Sequence, residues 1–231
     1  MAGSADAERL PERLRTFLAR SLPPGGRLPA RVRVTQHGEM IRRPGARPLR
    51  FEAVEEFAVA ETAFSWRARF GLAGPLAVSV TDELAGGRGA LRVRLLGLPV
   101  QSQEGPELAV GQAMRYLAEL PWAPQAIAGN RALEWREADG GLLEVAAAVG
   151  SARAVVEWEL DGAGDLVRAS GTRPYRSGDL FVPTLWGGDL GGYASFEGTR
   201  VPTAGEAWWE LPEGRFVYWR GRVTGLELVG G

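Results

Sequence analysis

The sequence predicts a mainly β, α+β fold: a strongly curved antiparallel sheet packed around one or two helices. Three observations carry that expectation. Apolar and charged residues alternate with period two, as in FSWRARF, where Phe64, Trp66, Ala68 and Phe70 oppose Ser65, Arg67 and Arg69. Turn signals such as Asp139-Gly140-Gly141, Asp161-Gly162 and Glu213-Gly214 separate many of these segments. One helical stripe, Val110, Met114, Leu117 and Leu120, interrupts the strands.

Taken in order, Leu10, Leu14, Phe17 and Leu18 recur at helical spacing before Pro23-Pro24-Gly25-Gly26, which predicts a helix near residues 6–20. Val32 and Val34 then oppose Arg31 and Arg33, and further strands are expected at Leu49–Val59, 64–70, Leu76–Val80 and 90–96. Buried parallel strands would read as continuous apolar runs, so the alternation points to an antiparallel meander with one solvated face. The central helix runs from Pro106 to Leu120; Pro121 stops it and Pro124 stiffens its exit. Its stripe has one obvious place to bury itself, the apolar face of the sheet. Later strands are expected at Ala132–Glu137, Leu142–Val149, Ala152–Leu160, Leu166–Gly171, Tyr193–Glu197, Val201–Leu211 and Phe216–Leu228. The Gly-rich stretch from Pro183 to Tyr193 reads as a loop.

With 231 residues, no repeat and no linker, the chain reads as one domain, 1–231. Its parts are an N-terminal helix and linker (1–25), a first strand set (26–104), a core helix (105–125) and a second strand set (126–231).

Charge narrows the function classes. All 27 basic residues are Arg, and against 28 carboxylates they leave a net charge of -1, which predicts no nucleic-acid partner. No apolar run approaches the length of a membrane span, so stable membrane insertion is not expected. The opening MAGSADAERLPERLRTFLARSLPPG carries charges where a signal peptide needs an apolar core, and the expected location is cytoplasmic.

No catalytic constellation stands out. There is no Cys, and His37, the one histidine, shares the parity of Arg31, Arg33 and Thr35 on a polar strand face. No metal site and no cofactor are expected from that inventory. Asp179, Asp189 and Glu119 are carboxylates near loops or the helix end, but spacing does not join them. GGDLGG at 187–192 lacks the Lys-Ser/Thr of a phosphate loop and reads as a turn. Seven of the eight tryptophans lie in or after the central helix, and adjacent Trp208 and Trp209 must face opposite ways if both are in a strand.

At RYLAELPW, and again in VPTLWGGDLGGY, GTRVPTAGEAWWELPEG and FVYWRGRVT, the chain resembles a family of uncharacterised bacterial proteins. PGARPLRFEAVEEFAV and FSWRARF extend the resemblance over nearly the whole length. Members of that family look like relatives of the LolA and LolB lipoprotein carriers. The resemblance implies an incomplete β-barrel around helices that plug an apolar cavity, and it brings no catalytic residues. The function expected is binding of an apolar or lipid-like ligand between the concave sheet and the helix. Tyr116, Trp122, Trp186 and Tyr193 are expected to border that site, with Arg115 and Glu119 beside it. The alternatives are an enzyme with a carboxylate and arginine site near Arg115 and Glu119, or a protein-interaction scaffold whose core is filled.

Overall fold

The alternating segments become strands, and neighbours in sequence pair antiparallel. The computed structural model describes residues 10–26, 28–71 and 77–230. After helix α1 (Glu12–Ser21), strands β1 (Arg31–Met40), β2 (Leu49–Ala58), β3 (Phe64–Gly71), β4 (Ala77–Ala85), β5 (Arg88–Leu95) and β6 (Leu98–Glu104) form one meander. Helix α2 (Pro106–Glu119) follows, then a 3-10 turn at Leu120–Trp122 and a short helix α3 (Pro124–Gly129). The second meander comprises β7 (Glu134–Glu137), β8 (Leu143–Val149), β9 (Ala152–Leu160), β10 (Leu166–Ser177) and β11 (Leu180–Gly191). A small separate pair, β12 (Ala194–Phe196) and β13 (Thr199–Val201), precedes β14 (Ala204–Leu211) and β15 (Gly214–Val229).

The first and last long strands join the two halves. β1 pairs with β15 from Arg31↔Val229 to Met40↔Trp219, so 13 strands make one sheet in the order β6-β5-β4-β3-β2-β1-β15-β14-β11-β10-β9-β8-β7. The sheet curls until remote turns meet: a Cβ on Gly87, in the β4–β5 turn, would lie 3.2 Å from the Gly150 amide nitrogen in the β8–β9 turn. The result is a half-barrel. Its convex face carries Arg and Glu, as where Arg33 reaches Glu56 at 2.8 Å and Glu227 at 3.0 Å on neighbouring strands. Its concave face carries the buried Val32, Val34, Phe51, Phe57 and Trp66.

Helix α2 fills much of the concavity, packing on β8, β9 and β10 and reaching β4 and β5. Ala113, Met114 and Leu117 are buried there, and the Trp158 indole of β9 donates to the Leu117 carbonyl at 3.2 Å. α1 packs against α3 and β13 and sets Phe17 edge-on to Trp158 at 6.1 Å between ring centroids. Among the described residues no helix is long and apolar enough to cross a membrane.

Several expectations need correction. The stretch from Pro183 to Tyr193 is mostly strand β11, not a loop, and GGDLGG is no turn. Glycine belongs there because the Trp208 indole lies over Gly187, where a Cβ would meet the ring at 2.6 Å. β10 likewise runs past Gly171 to Ser177, and Pro174 faces Pro183 across the ladder. Both prolines are tolerated because this part of the β10–β11 hairpin projects beyond β9 and β14, leaving no outer ladder to break. The helical region does not end near residue 125. Pro121 and Pro124 each open a further turn, where a missing N–H costs nothing, and the second strand set begins at Glu134. The expected strand Val201–Leu211 is two strands broken at Pro202. β6 shows almost no alternation because it is an exposed edge strand. The N-terminal helix begins at Glu12; residues 6–9 of that expectation, and Leu76 of the expected fourth strand, lie outside the described residues.

Candidate functional site

Between α2 and the sheet lies a cavity of about 680 Å³. Register explains its wall. Phe70 pairs with Val78 and Val78 with Leu95; Ala68 pairs with Val80 and Val80 with Val93; Trp66 pairs with Asp82 and Asp82 with Leu91. Residues opposite one another in a ladder share a face, so three rows of β3, β4 and β5 look into the same space. Met40, Leu49, Trp186, Ala207, Tyr218 and Trp219 line the other side. Val78, Val80, Leu91, Val93 and Leu95 are inward-facing and yet only half-buried.

A polar cluster stands at one end. The same register sets Glu55 beside Trp66, and Trp66 beside Asp82. Arg115, on the cavity face of α2, donates to Glu55 Oε1 at 2.9 Å, to Asp82 Oδ2 at 2.9 Å and to both Glu119 oxygens at 3.0 Å. Its guanidinium also lies 5.2 Å from the Phe64 ring centroid and 5.0 Å from that of Trp66. Gln36 donates to Glu55 Oε2 at 2.9 Å and accepts from the Trp66 indole at 3.0 Å; Gln112 donates to Asp82 and to the Ala90 carbonyl. Burial pushes the Glu55 carboxyl well above the usual carboxylate range, the Glu119 charge pushes the same way, and Arg115 opposes both. Burial works against the Arg115 charge too, but Glu119, Glu55 and Asp82 overcome it and raise its pKa. Three carboxylates thus surround one cation, and the burial of Glu55 favours its protonated form.

Arg173 of β10 is the contrasting cation. Its guanidinium stacks on Trp186 at 4.6 Å and lies 5.6 Å from the Trp209 ring, with no carboxylate partner among the described residues.

Arg115, Glu119 and Trp186 therefore line the cavity. Tyr116, Trp122 and Tyr193 do not, which corrects the expectation that they border it. Tyr116 faces away from the hollow: it is fully buried, its hydroxyl lies 3.3 Å from the Ala58 carbonyl and 3.2 Å from that of Glu61, and Asn130 donates to it at 3.3 Å. Trp122 donates to the Pro202 carbonyl at 3.0 Å and stands behind Trp219, which does reach the cavity. Tyr193 donates to the Leu166 carbonyl at 2.9 Å beneath Arg200. His37 is exposed on the convex face. Trp208 and Trp209 do face opposite ways: Trp209 joins Tyr175, Trp186 and Tyr218, while Trp208 bonds Asp189 beneath Arg215.

Gln36, Glu55, Asp82 and Arg173 were missed, and three of them had a signal. Gln36 shares parity with Val32 and Val34, Glu55 with Phe51, Ala53 and Phe57, and Asp82 with Val78, Val80 and Leu84. A polar residue on the apolar parity of a strand marks a buried partnership.

The curl, the plugging helix and the hollow define an antiparallel half-barrel with an apolar internal cavity. The chain belongs to DUF6544, a family of unknown function, which it matches over residues 2–221. No curated protein matches it. Among solved structures it is similar to a LolA superfamily protein from Nitrosomonas europaea, at 12% identity and a TM-score of 0.47, over 94% of this chain and 91% of that one. The match to an uncharacterised family agrees with the resemblance read from the sequence.

Proposed function

We propose that the protein binds an apolar or lipid-like ligand in the cavity between the concave sheet and α2. The observation that carries this is the β4–β5 wall: five aliphatic side chains turned inward and covered fully by none of the described residues. Natural ligand sites are concave and mostly apolar, at roughly 300–1,000 Å³. Each methylene buried there contributes about 0.8 kcal/mol, so an alkyl chain supplies the drive that a small polar molecule lacks. The hollow weighs against a scaffold whose core is filled. An enzyme built on Arg115 and Glu119 is the second reading, since both line the cavity. It is the weaker one, because three carboxylates already occupy Nε and both terminal nitrogens of Arg115.

Native mass spectrometry tests the reading. The purified protein is expected to carry, or to take up on addition, one hexadecanol or palmitate per chain. A chain that takes up neither would overturn it.

A further inference from the structure

Three arginines line the cavity, and two of them, Arg115 and Arg173, are in opposite states. Arg115 is saturated by Glu55, Asp82 and Glu119. Arg173 is held in place but not neutralised. Its guanidinium stacks on Trp186 and lies against α2 at Gly111, where a Cβ would sit 3.1 Å from Arg173 Nε. Glycine at that helical position leaves room for the cation. The two cavity-lining carboxylates nearest in the fold, Asp82 and Glu119, are both engaged by Arg115. No hydrogen-bond acceptor among the described residues meets the Arg173 fork. Arg42, also part of the lining, is exposed at the end of β1 and has no ion pair among the described residues.

A half-buried cation without an acceptor retains its donors for something that comes from outside. Guanidinium recognises planar or tetrahedral oxyanions through paired N–H donors, and stacking on an aromatic ring keeps the fork pre-oriented. The aliphatic wall of β4 and β5 lines the same cavity from its other side. We infer that the ligand is an anionic amphiphile: Arg173 binds its carboxylate or phosphate head, and its alkyl chain lies along the β4–β5 wall. The inference rests on the apolar-ligand reading above and specifies what that reading leaves open, the charge of the head group.

The test compares ligands of one chain length and different heads. Binding of palmitate, hexadecyl phosphate, hexadecanol and hexadecylamine is measured by displacement of a fluorescent fatty acid, for the intact chain and for Arg173→Gln. Palmitate and hexadecyl phosphate are expected to bind at least about tenfold more tightly than hexadecanol, as one charge-assisted pair provides. Hexadecylamine is expected to bind most weakly. Arg173→Gln should bring palmitate to within about twofold of hexadecanol. Palmitoyl lysophosphatidic acid separates the sources: tighter binding than palmitate points to a phospholipid, weaker binding to a free fatty acid, and both outcomes support an anionic head. Equal binding of palmitate and hexadecanol by the unaltered chain would overturn the head-group site and leave the apolar cavity standing, whether or not the variant folds. Binding of neither overturns both.

Discussion

The Arg115 guanidinium donates to Glu55 Oε1 at 2.9 Å, and the Glu55 side chain has no exposed surface. A carboxylate on the inner face of β2 and a cation on the inner face of α2 thus meet inside the half-barrel, with Asp82 and Glu119 completing the group. Removing charges from water costs several kcal/mol per ion, so such a cluster persists only when nearly every donor and acceptor is satisfied. Gln36 and Gln112 donate further bonds to Glu55 and Asp82, and the Trp66 indole holds Gln36, while Gln112 Oε1 is buried without a partner among the described residues.

Breaking that group from the helix side should be costly. Arg115→Met is expected to lower the unfolding free energy by about 3–5 kcal/mol, because it leaves Asp82 and Glu119 without their cation. Denaturant titration measures it, and Glu55→Gln in the same background should recover part of the loss.

The Glu55 shift gives a pH dependence with a definite sign. A carboxyl whose folded pKa is raised binds more protons folded than unfolded, so stability falls as pH rises from its ordinary value of 4.5 towards the folded value. Glu144 and Asp165 are shifted the other way, by Arg136 and Arg200 respectively, and lose their contribution as pH falls. Thermal melts above pH 5 should therefore decline more steeply for the unaltered chain than for Glu55→Gln. Parallel curves would show that Glu55 does not titrate there.

Leu117 and Trp122 are both structural. Leu117→Ala should cost about 2–5 kcal/mol and Trp122→Ala about 3–5 kcal/mol in equilibrium unfolding. In variants that remain folded, uptake of a fluorescent fatty acid should be little changed by Trp122→Ala and weakened by Trp186→Ala, since only Trp186 lines the cavity. The reverse order would place the ligand behind Trp219.

His37→Ala should shift stability by no more than about 0.5 kcal/mol and leave ligand uptake intact, because the imidazole is exposed on the convex face. Isothermal titration with palmitate, alongside a melt, checks both.

Period-two alternation was sufficient to read β1, β3, β5 and their antiparallel pairing, because one face of each strand meets apolar atoms and the other meets water. The α2 stripe was legible for the same reason. β11 was not: glycines and prolines signal a loop locally, and only the indole of Trp208 over Gly187 and the projecting hairpin make extended backbone the better solution. The site divides along the same line. Arg115 and Glu119 stand four residues apart on one helix, a local relation any sequence displays. Their partners Glu55 and Asp82 lie 60 and 33 positions away, and were brought to them by the curl of the sheet. Whether Arg115 is saturated and Arg173 free to bind is a matter of distances between strands and helix. Those distances follow from how far the sheet curls around α2, a property of packing between remote segments that no local pattern encodes.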